Sequence, residues 1–175
     1  MYTAQGREKP EMATAVLNAI NDGAVLYSFI GHGNPHVWTH ESILVVPTTV
    51  NKFVNFDKLT YMTTVTCNFS QDDDFNDLSG GVQILMRPNG GAIGLLGTTR
   101  EVTGHESLVF TFYSALFGEN PGAGYGTSSV GAAYIAGKFS CYNLNLPYYY
   151  LLGDPSQRLL IPSLYVSLDS INQES

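Results

Sequence analysis

Three uncharged, apolar runs constrain this chain most: residues 24–30, 61–66 and 92–98. They are rich in large or β-branched apolar side chains and show no alternation of polar and apolar positions. A strand of that kind has to be covered on both faces, which is the condition of a parallel sheet between two helical layers. The intervening segments supply the layers. Ala13, Val16, Leu17 and Ile20 form one face of a helix over 8–21, with Pro10 in its first turn and Asp22-Gly23 at its end. Further helices are predicted over 79–86, stopped by Pro88-Asn89-Gly90, over 105–117 and over 127–138. Leu108, Phe112, Tyr113 and Leu116 give the third its apolar face; Val130, Ala133 and Tyr134 do so for the fourth. Residues 41–46 read equally as a short helix or strand, 144–152 lead into a Gly153-Asp154-Pro155 turn, and 158–161 suggest a last short strand. The expectation is one α/β domain over residues 1–175, with a mostly parallel sheet and helices on both faces.

Charge narrows the partners. Charged residues make up 13% of the chain, about half of the usual ~25%. With 18 glycines and 11 tyrosines, this suits an extracellular protein, or a piece covered by the rest of a larger one. The net charge of −7 and scattered Lys and Arg argue against a nucleic-acid partner. No apolar run approaches the ~20 residues of a membrane-spanning helix. The start, Met1-Tyr2-Thr3-Ala4-Gln5-Gly6, lacks the apolar core of a signal peptide, so export calls for a signal upstream. Cys67 and Cys141 permit one disulfide, but no CxxC spacing suggests a metal site.

Ligands of such sheets gather at the C-terminal ends of the strands. Two of those ends carry reactive groups: Phe29-Ile30-Gly31-His32-Gly33 and Thr63-Thr64-Val65-Thr66-Cys67-Asn68. Cys67 precedes a polar loop of Asn68, Ser70 and Gln71; an inert buried thiol is the plain reading, an activated nucleophile the other. His32 lies between Gly31 and Gly33, which admit a close neighbour; it is either a structural histidine or the base of a thiol–imidazole pair. The N–H groups of Gly33 and Cys67 are candidate oxyanion donors. His36 and His40 compete for the role of base, and their i, i+4 spacing would chelate a metal only on a helix with a further ligand. Trp38 is read as a wall of the cleft or a packing lid, and Asn68, Thr98, Thr99 and Arg100 as bordering residues that contact substrate. His105 is expected on the surface. Asp72, Asp73, Asp74 and Asp77 read as a solvated acidic loop; structural calcium is the other reading, although the EF-hand pattern is absent. The glycine-rich stretches 90–97 and 118–126 lack phosphate-binding patterns.

Together these pieces resemble the gingipain-type cysteine peptidases, and among them the signal-removing peptidases of the type IX secretion system. The resemblance rests on the two strand-end motifs, on Gly90-Gly91-Ala92-Ile93-Gly94-Leu95-Leu96-Gly97-Thr98-Thr99-Arg100 and on Leu151-Leu152-Gly153-Asp154-Pro155-Ser156-Gln157-Arg158-Leu159. Residues 118–143 match least, and Cys141 has no counterpart. The resemblance implies a caspase-like catalytic subdomain, a C-terminal part of a larger exported peptidase, with His32 as base and Cys67 as nucleophile. It implies that the acidic residue orienting His32 comes from an upstream subdomain outside this chain. It further implies a protein substrate, the C-terminal signal of secreted cargo, cleaved at the cell surface through a Cys67 thioester. Water or an amine on lipopolysaccharide would take the acyl group, alongside other secretion components and with no cofactor required. Two rivals stand beside it: a general endopeptidase with basic-residue specificity, for which no acidic pocket residue can be assigned, and a non-catalytic scaffold of the same fold.

Overall fold

The computed structural model describes residues 8–103, 106–118, 129–140 and 146–160. Its elements, in order, are α1 (Pro10–Asp22), β1 (Leu26–Ile30), β2 (Val37–Trp38), β3 (Leu44–Val45), a 3₁₀ turn (Val50–Lys52), β4 (Thr60–Val65), α2 (Gly80–Leu85), β5 (Ala92–Thr98), α3 (Glu106–Phe117), α4 (Val130–Ser140), a second 3₁₀ turn (Leu146–Tyr148) and β6 (Tyr149–Gly153). The main sheet has the order β1-β4-β5-β6. β1 and β5 both run parallel to β4, and β6 pairs antiparallel with β5.

The two central strands explain their own sequences. Every residue of β4 is buried, and successive side chains enter opposite cores, as the period of two requires. Met62 and Leu95 join Ile20, Trp38, Phe53, Phe69 and Ile84 on one face. Tyr61, Val65 and Leu96 join Leu108, Phe112, Leu116, Val130 and Ala133 on the other. Each fully buried leucine contributes roughly 1.5–3 kcal/mol of transfer free energy, so a charge at Met62, Leu95 or Leu96 has nowhere to go. α1, α2 and the β2–β3 hairpin cover the first face; α3 and α4 cover the second. α3 and α4 approach closely at Gly137, where an added Cβ would lie 2.9 Å from the Leu108 carbonyl oxygen. The entry to β5 is pinned by buried Asn55, whose Oδ1 accepts from Gly91 N–H (2.7 Å) and whose Nδ2 donates to Gly91 O (2.9 Å) and Lys58 O (3.3 Å).

Several expectations shift. The segment 41–46, open between helix and strand, yields only the two-residue strand β3, paired with β2. The turn between them places Thr39 (φ 62°) and Ser42 (φ 57°) in the left-handed region. The tyrosine-rich stretch before Gly153 becomes a 3₁₀ turn followed by the edge strand β6. Residues 158–160 form no strand, and residue 161 lies outside the described residues. Also outside them are Cys141, His105, the start of the predicted fourth helix at 127–128 and most of the 118–126 loop.

Candidate functional site

The site begins with strand register. β1 and β4 end level with each other, Ile30 opposite Val65, and Gly31 N–H extends the pairing by donating to Val65 O at 3.1 Å. His32 and Cys67 each lie two residues beyond that last pair. Neighbouring strands are ~4.8 Å apart, so both side chains leave the same rim of the sheet. They line one cleft of about 300 Å³, shared with Ile30, Gly31, Val65, Thr66 and Val102. His32 is exposed and Cys67 half-buried. The free thiol donates weakly to Val102 O at 3.7 Å.

The two turns are held from outside the cleft. The His32 turn is clasped by β2: Gly33 faces Trp38 in an antiparallel bridge. That bridge's hydrogen bonds run from Asn34 N to Val37 O (3.0 Å) and from Thr39 N to His32 O (2.8 Å). Gly33 N–H therefore takes no part in them. The Cys67 turn is sharp because Asn68 adopts φ 59°, a conformation that asparagine tolerates. It is tied to the end of β5 by Asn68 N to Arg100 O (3.3 Å), Ser70 N to Thr98 O (2.9 Å) and the Thr98 hydroxyl donating to Thr66 O. Arg100 then reaches across to Asp73, with Nη2 to Oδ2 at 2.5 Å and Nη1 to Oδ1 at 3.3 Å. That hydrogen-bonded guanidinium lowers the Asp73 pKa, and the carboxylate in turn raises that of Arg100.

The two rival histidines fall in different places. His36 pairs with Asp77 through Nε2 and Oδ2 at 2.9 Å and is absent from the cleft lining. His40 sits with its ring 6.3 Å from that of His32, tilted by 36°. Residues 36–40 run through β2 and its turn, so the helical spacing required for a chelate is not formed. Among the described residues no group of three His, Cys, Asp or Glu is placed to hold a metal. In the acidic loop, Asp73 and Asp77 have the partners named above, and Asp74 Oδ1 accepts from Asn76 N–H at 3.0 Å.

Two substrate-contact expectations are corrected. Trp38 is 0% exposed, stacked on Phe29 with centroids 4.4 Å apart and tilted against Phe69 at 5.2 Å, so it packs behind the His32 turn and offers the cleft no wall. Thr98 is also 0% exposed, its hydroxyl committed to Thr66 O. Asn68 donates to Gln71 Oε1 at 3.2 Å and Thr99 Oγ1 to Tyr148 O at 3.3 Å; both remain partly accessible. Val102, which touches the thiol, was not singled out by sequence. An apolar residue four positions past a strand's end carries no chemical signature.

Comparison with known proteins follows the same outline. The family model of peptidase family C25 matches residues 1–160. A search of curated proteins finds no match. Among solved structures, the Arg-specific cysteine proteinase gingipain R superposes with a TM-score of 0.71 at 18% identity, over 84% of this chain and 36% of its own. The complex of the Porphyromonas gingivalis RgpB pro- and mature domains gives 0.71 at 19%, over 87% and 37%. A third structure, described as a protease, gives 0.61 at 17%, over 80% and 36%. The chain thus spans little more than a third of the length of these structures, and at such identities the likeness speaks for the fold alone. The family match, running over residues 1–160, goes further: this chain belongs to peptidase family C25 and has a gingipain-like α/β fold.

Proposed function

We propose that this chain carries the nucleophile and base of a cysteine peptidase, with Cys67 attacking and His32 moving the proton. The observation that carries the reading is the level ending of β1 and β4, which presents both groups to one cleft. His32 takes the thiol proton as Cys67 sulfur bonds to the substrate carbonyl carbon. The N–H groups of Gly33 and Cys67 hold the resulting oxyanion, an interaction worth several kcal/mol in the barrier. Collapse breaks the C–N bond, His32 passes its proton to the departing amine, and a thioester remains. Water, or an amine, then attacks that thioester and releases Cys67 as a thiol. The chemistry calls on no metal or cofactor.

The finer reading follows from the quoted motifs. The chain resembles PorU, the signal peptidase and sortase of the type IX secretion system, acting at the cell surface on the C-terminal signal of secreted cargo. Lipopolysaccharide would be one acyl acceptor and other secretion components its neighbours. The test uses full-length protein and iodoacetamide, with the labelled cysteine identified by mass spectrometry. Cys67 is expected to react much faster than Cys141, and His32→Ala to slow it. Equal rates for both cysteines, indifferent to His32, overturn the catalytic reading. Cleavage of a cargo bearing its C-terminal signal supports the finer assignment; cleavage of a short Arg- or Lys-containing peptide alone favours a general endopeptidase.

A further inference from the structure

Beyond the strand pairing, a side-chain contact joins the two halves of the site, and it falls between the residue after His32 and the residue before Cys67. A Cβ added to Gly33 would land on Thr66 Oγ1 and 2.7 Å from Val37 O. The absence of a side chain at position 33 is thus the notch into which Thr66 fits. Thr66 is 1% exposed, and its hydroxyl has no hydrogen-bond partner among the described residues. What that side chain contributes here is shape.

Both walls of the contact are fixed. Behind Gly33 stands the bridge to Trp38; behind Thr66, the Thr98 hydroxyl holds its carbonyl. A change in the volume of Thr66 is passed on to the spacing of the two turns, because close-packed groups between fixed walls have little room to relax. We infer that Thr66 is a positioning residue, a spacer that sets the separation of His32 from Cys67 and the attitude of Gly33 N–H. The inference rests on the His32–Cys67 reading, and its test keeps the two apart.

The measurement is the rate of Cys67 alkylation by iodoacetamide in the full-length protein, at pH 6 and pH 9. An isolated thiol, with a pKa near ~8.5, is less than ~1% thiolate at pH 6, so the low-pH rate reports support from the imidazole. Thr66→Ala is expected to slow the pH 6 rate about tenfold, well within what a misplacement of ~1 Å can cost, and to leave the pH 9 rate within about twofold. Thr66→Val, which restores the volume without the hydroxyl, recovers most of the loss. Gly33→Ala slows the pH 6 rate as well. Combining it with Thr66→Ala recovers part, since the new methyl takes the vacated space while Val37 O still crowds it. A pH 6 rate unchanged in Thr66→Ala, a Thr66→Val as slow as Thr66→Ala, or strictly additive effects in the double variant each overturn the spacer. His32→Ala without effect at pH 6 overturns the dyad itself; slowing in His32→Ala beside an indifferent Thr66→Ala overturns only the spacer.

Discussion

Replacing Trp38 with alanine tests whether the hairpin behind His32 is held by packing. The indole is fully buried, stacked nearly parallel on Phe29 (4.4 Å, 5°) and packed at a tilt against Phe69 (5.2 Å, 51°). A buried aromatic removes about 150–250 Å² from water, or roughly 4–6 kcal/mol at ~25 cal/mol/Å². Truncations of this class cost about 3–5 kcal/mol once partial relaxation is included. Against the ~5–15 kcal/mol of a whole domain, that is a large share. Trp38→Phe is expected to cost only about 1–2 kcal/mol, because the stack on Phe29 survives and the indole N–H, without a partner among the described residues, takes no hydrogen bond with it. Urea unfolding followed by far-UV circular dichroism is the assay, since the substitution removes the chain's one tryptophan. With a slope of roughly 1–3 kcal/mol per molar urea, the alanine variant should unfold at least about 1 M earlier. An unchanged midpoint coupled to a selective loss of substrate turnover would refute the packing argument and return Trp38 to the cleft.

Asn55→Ala should cost about 2–4 kcal/mol in the same assay, because it strips the buried Gly91 N–H of its acceptor and takes a donor from Gly91 O. The Asp73–Arg100 pair predicts a pH effect of definite sign. The guanidinium depresses the Asp73 pKa, so its contribution is present above the unfolded value near ~3.9 and is lost as pH falls through the lower folded value. Arg100→Ala should therefore narrow the gap between urea midpoints measured at pH 7 and pH 2, and only slightly, for both side chains are about half exposed.

How legible these features are in the sequence depends on what fixes each of them. The parallel core is legible because β4 and residues 94–98 of β5 are buried on both faces, and that forces uncharged runs whatever the neighbours do. β6 is not: its Tyr and Leu residues become a strand through pairing with β5 at the sheet edge, a tertiary cause invisible in local pattern. The β2–β3 hairpin hides for another reason. Two residues per strand carry no periodicity, and its turn uses Thr39 and Ser42 in the left-handed region where glycine or asparagine would have announced it. That His32 and Cys67 share one cleft is legible because both follow the C-terminal ends of adjacent parallel strands. The burial of Trp38 and Thr98 depends on the hairpin and on the β4–β5 turns, so it emerges only with the fold.

The Cys67 turn shows what that fold accomplishes for chemistry. Backbone hydrogen bonds fasten it to β5 through Asn68 and Ser70 and to α2 through Gly81 N and Phe69 O, the last at 2.7 Å. Side chains then close the remaining space: Ser70 Oγ crowds the positions that a Cβ on Gly81 or Gly97 would take, as Thr66 does at Gly33. A loop clasped on these sides has few conformations left to lose when substrate arrives, and ordering already completed in folding does not have to be repeated at the barrier. The half-buried thiol and the exposed imidazole are the groups left facing the cleft. In the mechanism proposed above, this sets a firmly held nucleophile beside a solvent-accessible base.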